Sequence, residues 1–144
     1  VFKPERVDSR KEKEILYLKS LLINKTINNN LNLSNQQWIN NLGNLEIVNG
    51  RLDLSFSSIK SLSNLKKVNG ILDLEGCKNI YNLPDDLQTN TIYLNETNIS
   101  SLPQSLLSKD TIIFIGNTPL SKNNKLVKEY NELGVIINIT SLII

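Results

Sequence analysis

Short apolar triplets recur along the chain at a nearly constant interval. Leu52-Asp53-Leu54, Leu72-Asp73-Leu74 and Ile92-Tyr93-Leu94 alternate apolar, polar and apolar residues, and Ile112-Ile113-Phe114 opens a fourth copy. Their first residues stand 20 apart, and a looser copy, Leu31-Asn32-Leu33, begins 21 before Leu52. Each triplet is trailed by further apolar positions: Ile59, Leu62 and Leu65; Ile80, Leu83 and Leu87; Ile99, Leu102 and Leu106. Alternation with period two is the mark of a strand with one buried face. No copy can bury its own leucines alone, so self-similarity at this period predicts stacked units of a solenoid.

Two further columns carry expectations. Asn29, Gly50, Gly70, Asn90 and Asp110 stand two before the first apolar residue, and such residues suit a left-handed turn into a strand. Ser57, Cys77, Thr97 and Asn117 stand three after each triplet, where a small polar group fits inside and bonds a neighbouring backbone. The return path is too short for a long helix, and Pro84 and Pro103 favour an extended or 3₁₀ course.

Both ends read as lids. Ser9 with Glu12 makes a capping box ahead of Ile15, Leu18 and Leu22, predicting a helix at about 9–23. Ser121 is the expected cap of a helix at about 122–133 with Leu126, Tyr130 and Leu133 on one stripe. Gly134 stops it, and 135–139 is expected to add a last strand. The organisation expected is an N-terminal extension with capping helix (1–26), repeats (27–120) and a C-terminal cap (121–144). Residues 1–7 are expected to be mobile or tied to another body, and the apolar tail Thr140 to Ile144 to pack on the domain or lead into further chain.

The columns Leu72, Leu74, Cys77 and Ile80, and Ile92, Leu94, Thr97 and Ile99, resemble the leucine-rich repeat signature. Leu83 to Leu87 and Leu102 to Leu106 are similar to the L-P-x-x-L close of the short bacterial class. Val48 to Leu54 and Val68 to Leu74 resemble openings found in bacterial and phage repeats. The resemblance covers about residues 27 to 120, and Ser63, Gln36 and Trp38 depart from it. It implies an α/β solenoid: a right-handed leucine-rich repeat coil with one parallel concave sheet and extended or 3₁₀ convex segments. A capping helix and a helix–strand cap close the ends. The family binds many different things, so the resemblance implies binding without naming a partner.

Composition narrows the chemistry. The chain has no histidine, which removes the commonest general base and transition-metal ligand. Its single cysteine, Cys77, excludes an internal disulfide framework. The net charge of +2 gives no reason to expect a polyanion. No run of 18 apolar residues exists to span a membrane. Asparagine makes up about 15% of the chain, which suits many turns.

The residues between the buried positions face outward. They are Asn32, Asp53, Asp73, Tyr93 and Ile113, flanked by Arg51, Ser55, Glu75, Asn95 and Ile115. Together they are the expected partner-binding residues on the concave face, acidic in the middle and aromatic to apolar towards the C-terminus, with Tyr93 beside Ile113 and Ile115 as the anchor. No catalytic or metal site and no cofactor is expected: Asp53, Asp73 and Glu75 could hold a hard cation, but outward carboxylates on repeats are common. Lys60, Lys66, Lys67 and Lys78 lie on loops, and Arg10, Lys11 and Lys13 interleave with Glu12 and Glu14, a pattern of solvated faces more than of nucleic-acid grip. The reading favoured is a non-enzymatic protein-binding module, an effector, inhibitor or adaptor of bacterial or phage type. The alternatives are a structural or decorating subunit of an assembly such as a virion, held through its termini, and a nucleic-acid-binding accessory protein. A soluble cytoplasmic or virion-associated setting is expected over secretion.

Overall fold

The computed structural model describes residues 9–139. Helix α1 is Ser9–Leu21, followed by short strands β1 (Thr26–Ile27), β2 (Leu31–Asn32), β3 (Ile47–Val48), β4 (Leu52–Asp53), β5 (Lys67–Val68), β6 (Ile71–Asp73), β7 (Thr91–Tyr93) and β8 (Ile112–Phe114). Helix α2 (Asn124–Glu132) and strand β9 (Ile136–Asn138) close the described chain. Short 3₁₀ turns occupy Gln104–Leu106 and Leu120–Lys122.

The strands sort into two parallel sheets. One has three strands in the order β1-β3-β5, and the other six in the order β2-β4-β6-β7-β8-β9. This corrects the expected right-handed leucine-rich repeat solenoid with one concave sheet: two sheets are present, they are not arranged as a solenoid, and the architecture is α/β. The cause is local. Thr26–Ile27, Ile47–Val48 and Lys67–Val68 form a ladder of their own upstream of the main triplets. A bend at Asn49-Gly50 and Asn69-Gly70 then separates that ladder from β4 and β6. Val48 and Val68, which open the repeats by resemblance, belong to this ladder.

One hydrophobic cluster joins the elements. Leu33, Leu54, Leu74, Leu94 and Ile115 are fully buried in it, with Ile39, Ile59, Ile80 and Ile99 behind them. Each such side chain contributes about 1.5–3 kcal/mol when fully buried. Leu18 and Leu22 bring α1 onto this core, while Leu16, Tyr17 and Ile23 remain exposed. Trp38, which breaks the first copy, is half-buried beside α1, with the Lys19 ammonium 5.5 Å from its ring centroid.

Two column expectations change. Gly50 and Gly70 are not left-handed; they stand where neighbouring backbone passes too close for a side chain. A Cβ on Gly70 would lie 2.7 Å from the Gly50 carbonyl carbon and oxygen. The left-handed column falls after the strands instead, at Asn35, Phe56, Gly76, Glu96 and Asn117, with Asp110 (φ 70°) left-handed at the entry to β8. At the C-terminal lid the cap is Asn123, whose Oδ1 accepts from the Leu126 N–H at 3.1 Å, and not Ser121, which lies in the 3₁₀ turn. Tyr130 is buried and its hydroxyl accepts from the Leu102 N–H at 3.0 Å, but Leu133 is exposed. The expectations for residues 1–7 and 140–144 lie outside the described residues.

Candidate functional site

Register decides what the six-stranded sheet shows to solvent. Leu31 pairs with Leu52, Leu52 with Leu72 and Leu72 with Ile92, so the first four copies align as the triplets suggest. At the next step Ile92 pairs with Ile113, and Tyr93 with Phe114. The copy at Ile112 is therefore displaced by one residue. In a strand, a shift of one exchanges the two faces. Ile113 and Ile115 are both 0% exposed and lie in the core, so neither is an outward contact residue as expected. Phe114 takes the outward place beside Tyr93, and Ile112 stands outward next to Thr91. The same displacement corrects the small-residue column. Asn117 is exposed, and Thr118 is buried with its hydroxyl donating to the Ile115 carbonyl at 2.6 Å. Thr97 makes the corresponding bond to Leu94 at 2.7 Å, and the Cys77 thiol donates to the Leu54 carbonyl at 3.0 Å.

The outward face thus consists of three rows. The first runs through Arg51, Ile71, Thr91, Ile112 and Ile136. The middle row is Asn32, Asp53, Asp73, Tyr93 and Phe114. The third holds Ser34, Ser55, Glu75, Asn95 and Gly116, just past the strand ends. The middle-row polar residues act as local braces. Asn32 Oδ1 accepts from the Ser34 N–H (3.0 Å) and hydroxyl (2.7 Å), and Asp53 Oδ1 accepts the same pair from Ser55 at 2.9 and 2.6 Å. Asp73 Oδ1 accepts from the Glu75 N–H at 3.0 Å. These side-chain turns stop each strand after two or three residues.

Arg51 organises the middle of the face. Its Nη2 donates to Asp73 Oδ2 at 2.8 Å, and its guanidinium carbon lies 6.0 Å from the Tyr93 ring centroid. Tyr93 in turn meets Phe114 edge to face, with centroids 4.9 Å apart and planes at 86°. A cation at the entry to β4, a shielded carboxylate on β6 and an aromatic pair on β7 and β8 therefore form one laterally supported cluster. Such contacts limit the rotamers available and pre-organise the surface.

The electrostatics are uneven. Burial pushes the Asp73 carboxyl above its ordinary range, the Glu75 N–H pulls it back, Asp53 pushes it further up and Arg51 pulls it down. Glu75 is raised by burial and then by repulsion from Asp73, Glu96 and Asp53. Asp73 is only 6% exposed and Asn95 only 2%, so these two expected contact residues work beneath the surface. Asn95 Oδ1 accepts from the Gly116 N–H at 2.7 Å, and its Nδ2 is buried without a partner. Of the other expected residues, Arg51, Asp53, Ser55, Glu75 and Tyr93 are half-buried and Asn32 is exposed. Sequence reasoning missed Phe114, Ile112 and Ile136. The signal for Phe114 was Thr118, a threonine like Thr97 that stands one residue past Asn117 and could equally fill the interior column.

Among the described residues no group of three or more His, Cys, Asp or Glu could hold a metal ion. Burial raises the Cys77 thiol, against any role as a nucleophile. No helix among the described residues is long and apolar enough to cross a membrane. Comparison with protein-family models, with curated proteins and with solved structures finds no match.

Proposed function

We propose that this protein is a non-enzymatic binding module that engages a partner protein through the outward face of its six-stranded sheet. The observation that carries the reading is the braced cluster of Arg51, Tyr93 and Phe114, each half-buried and each held from the side by a neighbour. Arginine and tyrosine dominate the energetics of protein interfaces, and little entropy is lost when they are already held in place. Ile71 and Ile112 border this cluster and widen its apolar area. The resemblance of the repeats to leucine-rich repeats, whose members bind diverse partners, supports the same reading.

A second reading, a subunit of a larger assembly held through its ends, is favoured by a different observation. Leu16, Tyr17 and Ile23 are exposed near α1, and Leu133, Ile136 and Ile139 are exposed near β9. One experiment separates the two. The wild-type chain and a Tyr93→Ala variant, checked for retained fold by circular dichroism, are used to capture partners with cross-linking from the native source. The recovered complex is then mapped by amide hydrogen exchange. The binding-face reading expects loss of capture by the variant and new protection in β6, β7 and β8. Equal capture, with protection and cross-links confined to α1 and β9, transfers the function to the ends.

A further inference from the structure

The outward face differs in charge from the molecule that carries it. The chain as a whole is +2, yet Asp53, Asp73, Glu75 and Glu96 are close enough that three of them raise the proton affinity of the fourth, Glu75. Arg51 pairs with Asp73, and among the described residues no cation pairs with Asp53, Glu75 or Glu96. The strongest exposed ion pair elsewhere, Lys66 with Glu46 at 3.0 Å, belongs to the repeat segments leading into β3 and β5. Segregated, under-neutralised charge of one sign beside an apolar row selects a partner of the opposite sign.

An unmet donor lies in the same place. Asn95 follows Glu75 in the third row and precedes Glu96 in the chain. Its Oδ1 is turned to Gly116 on the β8 side. Its Nδ2, on the same buried amide, has no acceptor. It is a buried polar group left unsatisfied beneath the acidic part of the face. A peptide supplies both a cationic side chain for the unpaired carboxylates and an apolar side chain for the Tyr93–Phe114 pair; a lone amine or a metal ion does not.

We infer that the outward face takes a basic, apolar segment of its partner protein. An arginine or lysine of that segment sits against Asp53, Glu75 and Glu96, and a neighbouring apolar side chain rests on Tyr93 and Phe114. The inference rests on the binding-face reading above. The acidic row disfavours a polyanion such as nucleic acid at this face, since like charges directly opposed are repelled.

The test uses the full chain, labelled with ¹⁵N, and two acetylated synthetic peptides, one alternating leucine with arginine and one alternating leucine with glutamate. The arginine peptide is expected to shift resonances of residues 71–75, 91–96 and 112–116. It should bind about tenfold or more weakly to an Asp53→Asn, Glu75→Gln variant, and more weakly at high salt. The glutamate peptide is expected to leave those resonances in place. Equal shifts from both peptides, an arginine-peptide affinity unchanged in the variant, or no shift from either overturns the charge assignment. The binding-face reading falls separately, when a captured partner leaves β6, β7 and β8 unprotected. A nucleic-acid oligomer that shifts the same residues more strongly than the arginine peptide also overturns the inference.

Discussion

Glu75 carries a destabilised charge on the outward face, and its effect on stability can be isolated. Its native pKa is raised by burial and by three carboxylates, with no attractive partner to offset them. A raised native pKa means that the folded state binds its proton more tightly than the unfolded chain does. The folded state is therefore favoured as pH falls through the window between the raised value and the ordinary 4.5, and that contribution is lost as pH rises. Asp73 has the same sign. Glu46 has the opposite sign: Lys66 lowers its pKa, so its contribution is present above the ordinary value of 4.5 and is lost on acidification. Glu75→Gln removes one of these terms only. The variant is expected to be more stable than wild type at pH 7 by less than about 1 kcal/mol, because solvent screens a half-exposed group. The gain should vanish below the ordinary glutamate pKa. Urea midpoints at pH 7 and pH 4 check this, and a gain that persists unchanged in acid would refute it.

At the level of elements, the two glycines at the strand entries matter through space and not through dihedral freedom. Gly70 lies over Gly50, and Gly50 over Asn29 and Asn30, so neighbouring backbones approach where any Cβ would collide. Main-chain atoms cannot turn away as a flexible side chain can. Gly70→Ala is therefore expected to cost about 1–3 kcal/mol, the usual range for overpacking. Denaturant unfolding would show it as a lower midpoint with an unchanged slope, and an unchanged midpoint would refute the close-approach account. The conformational role assigned from composition was legible in type and misplaced in position. Asn, Asp and Gly do mark turns here, and Asp110 is left-handed where expected, but after the strands the left-handed residues are Asn35, Gly76 and Asn117 together with Phe56 and Glu96, which no propensity would nominate. Phe56 accepts this backbone while its ring covers Gly76, a contact visible only once the neighbouring strand is in place.

Across the whole molecule, fully buried side chains run along the six-stranded sheet from Leu33 to Ile115. β6, β7 and β8 each have a strand on both sides, whereas α1 turns only one buried residue, Leu18, to the core. Hydrogen exchange is therefore expected to be slowest in β6, β7 and β8 and fastest in α1, with native-state exchange under mild denaturant as the measurement. Comparable protection in α1 and β7 would mean that the helix is integral to the cooperative unit.

Sequence alone determined the short strands at Leu52, Leu72 and Ile92, the face each side chain takes there, and the presence of a helix near each end. These properties are written within a single segment: period two puts alternate residues on one side, and cap residues sit beside the helices they start and stop. Tertiary structure decided the rest. It divided the strands into two sheets, because whether Val48 and Leu52 belong to one ladder depends on a bend and on what pairs beyond it. It displaced β8 by one residue, which buried Ile113 and Ile115 and brought Phe114 to Tyr93. It sank Asp73 and Asn95 beneath the surface they had been expected to form. Register and depth are relations between segments distant in sequence, and no pattern inside one segment encodes them.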